Sequence, residues 1–165
     1  MTTATLDVRS SIVRDGQTIP MSAVFDGFGC TGQNQSPDLS WSGAPQNTKS
    51  YAIALWDPNV PSGLFVHWLL FNIPAGVTSL KAGAGSQSDA GVGATHGFTD
   101  FGFSHYGGPC PGSGEPPHHY HFTVYALDVE RVEGGSATTT YARFRYVTNS
   151  NVVATGEIIG LYGLT

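Results

Sequence analysis

The chain has 165 residues, among them 22 glycines, 10 prolines and two cysteines, with 40% hydrophobic and 12% charged content and a formal net charge of -5. That length suits one domain over residues 1–165 with room for a core, and the apolar content sets it apart from disordered chains, which are usually charge-rich. Its seven basic residues are scattered, which argues against a nucleic-acid surface, and no apolar run approaches the ~20 residues that span a bilayer.

The opening MTTATLDVRSS has no basic stretch followed by an apolar one, so no signal peptide is visible. The expected compartment is the cytoplasm, or the periplasm or exterior if a leader has been removed. A weak strand is predicted over 21–25. The next, SYAIALW at 50–56, is apolar almost throughout. DPNVPSG at 57–63 holds two prolines and must turn. FVHWLLFNI at 65–73 is again apolar on both faces, as suits a central strand covered on both sides. The glycine-rich stretch 81–97 reads as a surface loop. HYHFTVYALDV at 119–129 reads as a further strand.

The tail differs. Ser136 is placed to cap a helix over 137–147, with Tyr141, Phe144 and Val147 on its inner face. A second short helix is expected over 151–157 and a closing strand over 158–162. The class is therefore mainly β, with short C-terminal helices.

Three stretches carry the candidate chemistry. Asp57 ends one predicted strand and His67 sits in the next, so the two side chains can meet at one end of a sheet, where a carboxylate would orient an imidazole. The plain alternative is a turn-capping Asp57 and a satisfied core histidine. YGGPCPGSGEPPHHY at 106–120 is a rigid, irregular loop leading into His118, His119 and Tyr120. Such a loop can offer backbone N–H groups to an anion, or can simply connect two strands. From Ala82 to Glu130 there is no Lys or Arg, so a site here must rely on imidazole, hydroxyl or backbone N–H groups. His119 and His121 share a strand face, but no third ligand follows at zinc spacing, so no metal is expected. Cys30 and Cys110 would close a loop of about 80 residues as a disulfide, worth about 4 kcal/mol. Two free thiols fit the sequence equally.

DPNVPSG followed by FVHW, the YGGPCP loop and HHYHFTVYALD together resemble the phosphatidylethanolamine-binding protein family. FGCTGQNQSPDLSW and the ending GEIIGLYG are similar to its bacterial and archaeal branch, the Raf kinase inhibitor-like proteins. The likeness covers 25–163. It implies a β-sandwich with a central sheet and a small pocket for anions, phosphate or a phospholipid headgroup such as phosphoethanolamine. It places Asp57, Phe65, His67, Gly108, Pro109, His118 and Tyr120 at that pocket. Two departures stand out: Asn59 where the family usually has a second aspartate, and Gly112 where a second proline is common.

The resemblance leads to a binding protein, with His67, His118, Tyr120 and N–H groups around Gly108 donating to ligand oxygens, no cofactor, and a homodimer by likeness to the bacterial branch. The other reading is a small-molecule biosynthetic enzyme in which Asp57, His67 and His118 supply general acid–base catalysis. Docking onto other proteins would rest on analogy of fold alone.

Overall fold

The structure, a computed structural model, describes residues 3–164. Twelve elements follow in chain order: β1 (Ala4–Thr5), β2 (Asp7–Arg9), β3 (Asp26–Gly27), β4 (Cys30–Thr31), β5 (Leu39–Ser42), β6 (Ser50–Asp57), β7 (Phe65–Pro74), β8 (Ser79–Leu80), β9 (Thr95–His96), β10 (His118–Leu127), α1 (Tyr141–Val147) and β11 (Val152–Tyr162). A single 3-10 turn, Ala84–Ser86, interrupts the glycine-rich loop.

The central sheet has six strands in the order β1-β11-β10-β6-β7-β9, and a three-stranded sheet has the order β2-β5-β8. The chain is thus mainly β, as expected. The apolar runs of β6, β7 and β10 lie side by side because each needs cover on both faces. One face, with Ile53, Leu55, Trp68, Leu70, Phe122 and Val124, packs towards Val8, Leu39, Trp41 and Leu80 of the small sheet. The other face, with Ala54, Leu69, Phe71 and Tyr125, packs under Phe144 of α1. Register keeps like faces together: Ile53 opposes Val124 on one side and Leu70 on the other.

Three local expectations are corrected. Residues 21–24 form turns, with Ala23 N–H donating to Pro20 and Val24 N–H to Met21, rather than a strand. The helix over 137–147 starts only at Tyr141. Thr140 caps it by accepting from Arg143 N–H, while Ser136 organises a preceding turn with Thr138 and Thr139. Phe144 does face inward, fully buried. The second helix is absent: 152–157 continue the closing strand, β11. There Val152, Ala154 and Thr155 pair with Leu127, Ala126 and Tyr125 of β10. β-branched residues with a strand partner favour extension, so tertiary pairing overrides local preference. Gly156 lies so close to the chain between β1 and β2 that a Cβ would sit 2.2 Å from Leu6 O, and no larger residue fits.

Candidate functional site

β6 ends, and β7 and β10 begin, at the same end of the central sheet. Their terminal residues therefore converge: Asp57 from β6, Phe65 and His67 from β7, His118 and Tyr120 from β10. All five line one cavity of about 390 Å³, together with Phe28, Val60, Pro61, Asp100, Phe101 and residues 110–112 and 115 of the loop before β10. Gly108 and Pro109, also placed at the site by the sequence, are buried outside that lining.

Asp57 is held by its own turn. Its Oδ1 accepts Asn59 N–H at 2.8 Å, and its Oδ2 meets His118 Nδ1 at 2.6 Å. The carboxylate thus orients His118 directly. Its influence on His67 is only through space. Asn59, the departure from the family pattern, accepts from the backbone N–H of His119 at 2.7 Å and so fixes the start of β10. His119 Nδ1 also reaches Asn59 Oδ1, and His121 Nδ1 reaches Glu157 Oε2. Among the described residues no group of three or more His, Cys, Asp or Glu is placed to hold a metal ion.

The two imidazoles on the cavity differ in charge. His67 Nδ1 lies 2.8 Å from Gly107 O and 3.1 Å from Gly108 O. Carbonyls only accept, so Nδ1 carries a proton, and in the neutral ring that burial favours Nε2 is the acceptor. Full burial pushes the His67 pKa down to about 4, against the opposing pull of those carbonyls and of Asp57. His118 has a carboxylate on each nitrogen: Asp57 Oδ2 on Nδ1 and Glu115 Oε2 on Nε2, both at 2.6 Å. Burial lowers its pKa, but the hydrogen bonds and charges of the two carboxylates outweigh that and raise it. An imidazolium is the form that donates from both nitrogens.

Tyr120 is buried, edge-on to His67 at 5.3 Å, and its hydroxyl has no hydrogen-bond partner among the described residues. Burial, with Asp57 and Glu115 nearby, raises its pKa, so it stays a neutral O–H donor. The loop N–H groups expected to complete the cradle are engaged elsewhere. Gly107 N–H donates to His67 O and Gly108 N–H to Asn34 Oδ1 at 2.8 Å. The Gly-Pro loop therefore acts by its carbonyls, as the clamp that sets the His67 tautomer. Gly108 is required for close approach, since a Cβ there would lie 2.1 Å from Ala23 O.

The outer wall is aromatic. Phe28, at the tip of the β3–β4 hairpin, is 84% exposed at φ 51°. It stacks on Phe25 at 5.7 Å, and Phe25 stacks on Phe101 at 4.7 Å. Cys30, just after the turn of that hairpin, is joined to Cys110 by a disulfide, which resolves the alternatives left by the sequence. Sequence reasoning missed Glu115, Asp100, Phe101 and Phe28. Only Glu115 left a signal, an acid three residues before His118 in an otherwise uncharged loop.

A family model described as phosphatidylethanolamine-binding protein matches residues 9–163. The UPF0098 protein YbcL of Escherichia coli strain K12 is 43% identical over 162 residues, covering 96% of this chain and 88% of its own. A UPF0098 protein of the archaeon Pyrococcus horikoshii is 35% identical over 156 residues, 93% of this chain and 74% of its own. The crystal structure of YbcL superposes with a TM-score of 0.92 at 41% identity, covering 98% of this chain and all of that one. That of CT736 from Chlamydia trachomatis superposes with a TM-score of 0.83 at 30% identity, over 98% and 99%. On these likenesses the chain belongs to the phosphatidylethanolamine-binding protein family, in its bacterial and archaeal branch.

Proposed function

We propose that the cavity binds a small ligand through an anionic oxygen at His118, with a phosphoethanolamine-type headgroup preferred over free phosphate. A ligand-binding role follows from the family. The observation that carries the finer reading is the imidazolium of His118, whose Nε2 already holds one carboxylate oxygen at 2.6 Å inside the cavity. A phosphate oxygen is a chemical equivalent at that position. Tyr120 O–H is a further donor on the same cavity. His67 Nε2 accepts, so it suits a protonated oxygen or an ammonium group rather than a bare anion. Three acidic side chains line the cavity, Asp57, Asp100 and Glu115, against one charged imidazole. That balance favours a zwitterion over a dianion.

The acid–base reading is weaker. A general base works best with a pKa near the operating pH. His67 lies far below that, and both nitrogens of His118 are occupied. The disulfide supports an oxidising compartment in place of the cytoplasm, since such bonds persist mainly outside reducing cytosol.

The test is an NMR titration of the histidine side chains at pH 7 with phosphoethanolamine, phosphate and acetate. His118 should shift at millimolar phosphoethanolamine, and less with phosphate. No movement of His118 with any of the three would sink the reading.

A further inference from the structure

Glu115 and Asp57 contact the same imidazole at the same 2.6 Å, yet they are built differently. Asp57 is 3% exposed and its second oxygen is tied to Asn59 N–H. The Glu115 side chain is 46% exposed, and His118 is its single hydrogen-bond partner among the described residues. It stands in a loop with a positive-φ glycine before it, Gly114 at 80°, and Pro116 and Pro117 after it. The segment is anchored mainly by Gly114 N–H donating to Leu164 O at 3.2 Å.

Gly112 is what admits the carboxylate. A Cβ at 112 would lie 2.6 Å from Glu115 Oε1 and 2.8 Å from its carboxyl carbon. Real Cβ atoms do not approach so closely, so any side chain at 112 would push Glu115 away. An acid at 115 and a glycine at 112 thus act as a pair.

We propose that Glu115 is an intramolecular stand-in for the ligand's anionic group: it occupies His118 Nε2 in the free protein and must swing out for a ligand oxygen to take its place. This rests on the reading of His118 as the anion-binding group. Glu115 is then the residue that sets how strongly an anion must bind to enter. Because its own side chain is half-exposed and joined by one bond, Glu115 can move into water at little cost to itself while the incoming ligand oxygen takes over the buried His118 Nε2, whereas Asp57 is itself buried and cannot. A ligand carrying an ammonium group gains a further advantage, since the displaced carboxylate remains at the cavity mouth to meet it.

The experiment compares the intact chain with Glu115→Ala and Gly112→Ala. The first removes the stand-in. The second keeps its charge but evicts it from His118. Each is titrated with inorganic phosphate and with phosphoethanolamine, with the His118 resonances as readout and amide spectra to confirm the fold. Both variants should shift His118 before any ligand is added, and both should bind phosphate about fivefold tighter, the scale of a partly exposed ion pair. If the unaltered chain responds at His118 but neither variant binds phosphate more tightly, the stand-in is overturned and the pocket assignment survives. If His118 responds to neither compound in any of the three chains, both are overturned. If Glu115→Ala loses affinity for both compounds, Glu115 is a ligand contact rather than a stand-in, and the proposal falls.

Discussion

The cavity has two walls of opposite construction. The His67 wall is fixed: Gly107 N–H is tied to His67 O, Gly107 O and Gly108 O grip the ring, Gly108 N–H is tied to Asn34, and everything between Tyr106 and Pro109 is buried. The His118 wall is open on one side, where exposed residues 112–117 hold few backbone hydrogen bonds. The fixed wall keeps its imidazole neutral by excluding water. The open wall keeps its imidazole charged by surrounding it with carboxylates. Two imidazoles from different strands thus supply an acceptor and a cation to one pocket whose described lining holds no Lys or Arg. Segments with few buried contacts open most easily, so ligand entry belongs on the His118 side.

The disulfide sits at the boundary between the walls, and breaking it has the largest expected effect. Cys30 and Cys110 are 80 residues apart in sequence, and for a loop of that length the entropy model gives about 4 kcal/mol. Cys30→Ser with Cys110→Ser should lower stability in urea unfolding by about that amount. Hydrogen exchange should then report loss of protection at Phe25 N–H, which donates to Pro109 O, while Gly107 N–H holds. Equal loss at both amides would mean that the two walls are one unit.

A pH series separates the two imidazoles. The His67 pKa falls to about 4 on folding from an ordinary 6.5. Its contribution is therefore complete above 6.5 and is lost as pH drops from 6.5 towards 4, where the unfolded chain takes up the proton first. The size is about 3 kcal/mol over that window. The raised pKa of His118 acts oppositely: its contribution is complete below 6.5 and is lost as pH rises through the folded value. His67→Gln, which keeps an N–H donor but does not titrate, should show a flatter acid limb than the unaltered protein and the same alkaline limb. An unchanged acid limb would show that folding does not lower the His67 pKa.

How far this was legible in the sequence follows from distance along the chain. β6, β7 and β10 could be read because an apolar run covered on both faces is a local signal. β11 could not be read from its start, because Val152 to Glu157 extend only when paired with β10, and a lone segment carries no record of its partner. The site divides in the same way. Asp57, Phe65, His67, His118 and Tyr120 were legible through motifs and now share one cavity. That Asp57 grips His118, 61 residues away, rather than its sequence neighbour His67 depends on β10 lying beside β6. Glu115 reads as loop polarity until the chain folds it onto an imidazole.

Asn34 offers the smallest and most selective perturbation. It belongs to the FGCTGQNQSPDLSW stretch, which carried family likeness but no assigned role. It sits at φ 51°, a left-handed conformation that asparagine tolerates better than most residues, and turns Oδ1 onto the N–H of buried Gly108. Through Gly108 it holds one of the two carbonyls that set the His67 tautomer, so it is a positioning residue that never lines the cavity. Asn34→Ala orphans a buried N–H and places a Cβ without compensation at positive φ, a combined cost of about 2 kcal/mol. Asn34→Gly removes the backbone strain but not the orphan, so it should recover only part of that loss. In both variants the His67 ring resonances should move while those of His118 stay, because nothing in the His118 wall depends on Asn34. A simple loss of packing would shift both histidines together, and that result would show that the fixed wall and the open wall are coupled after all.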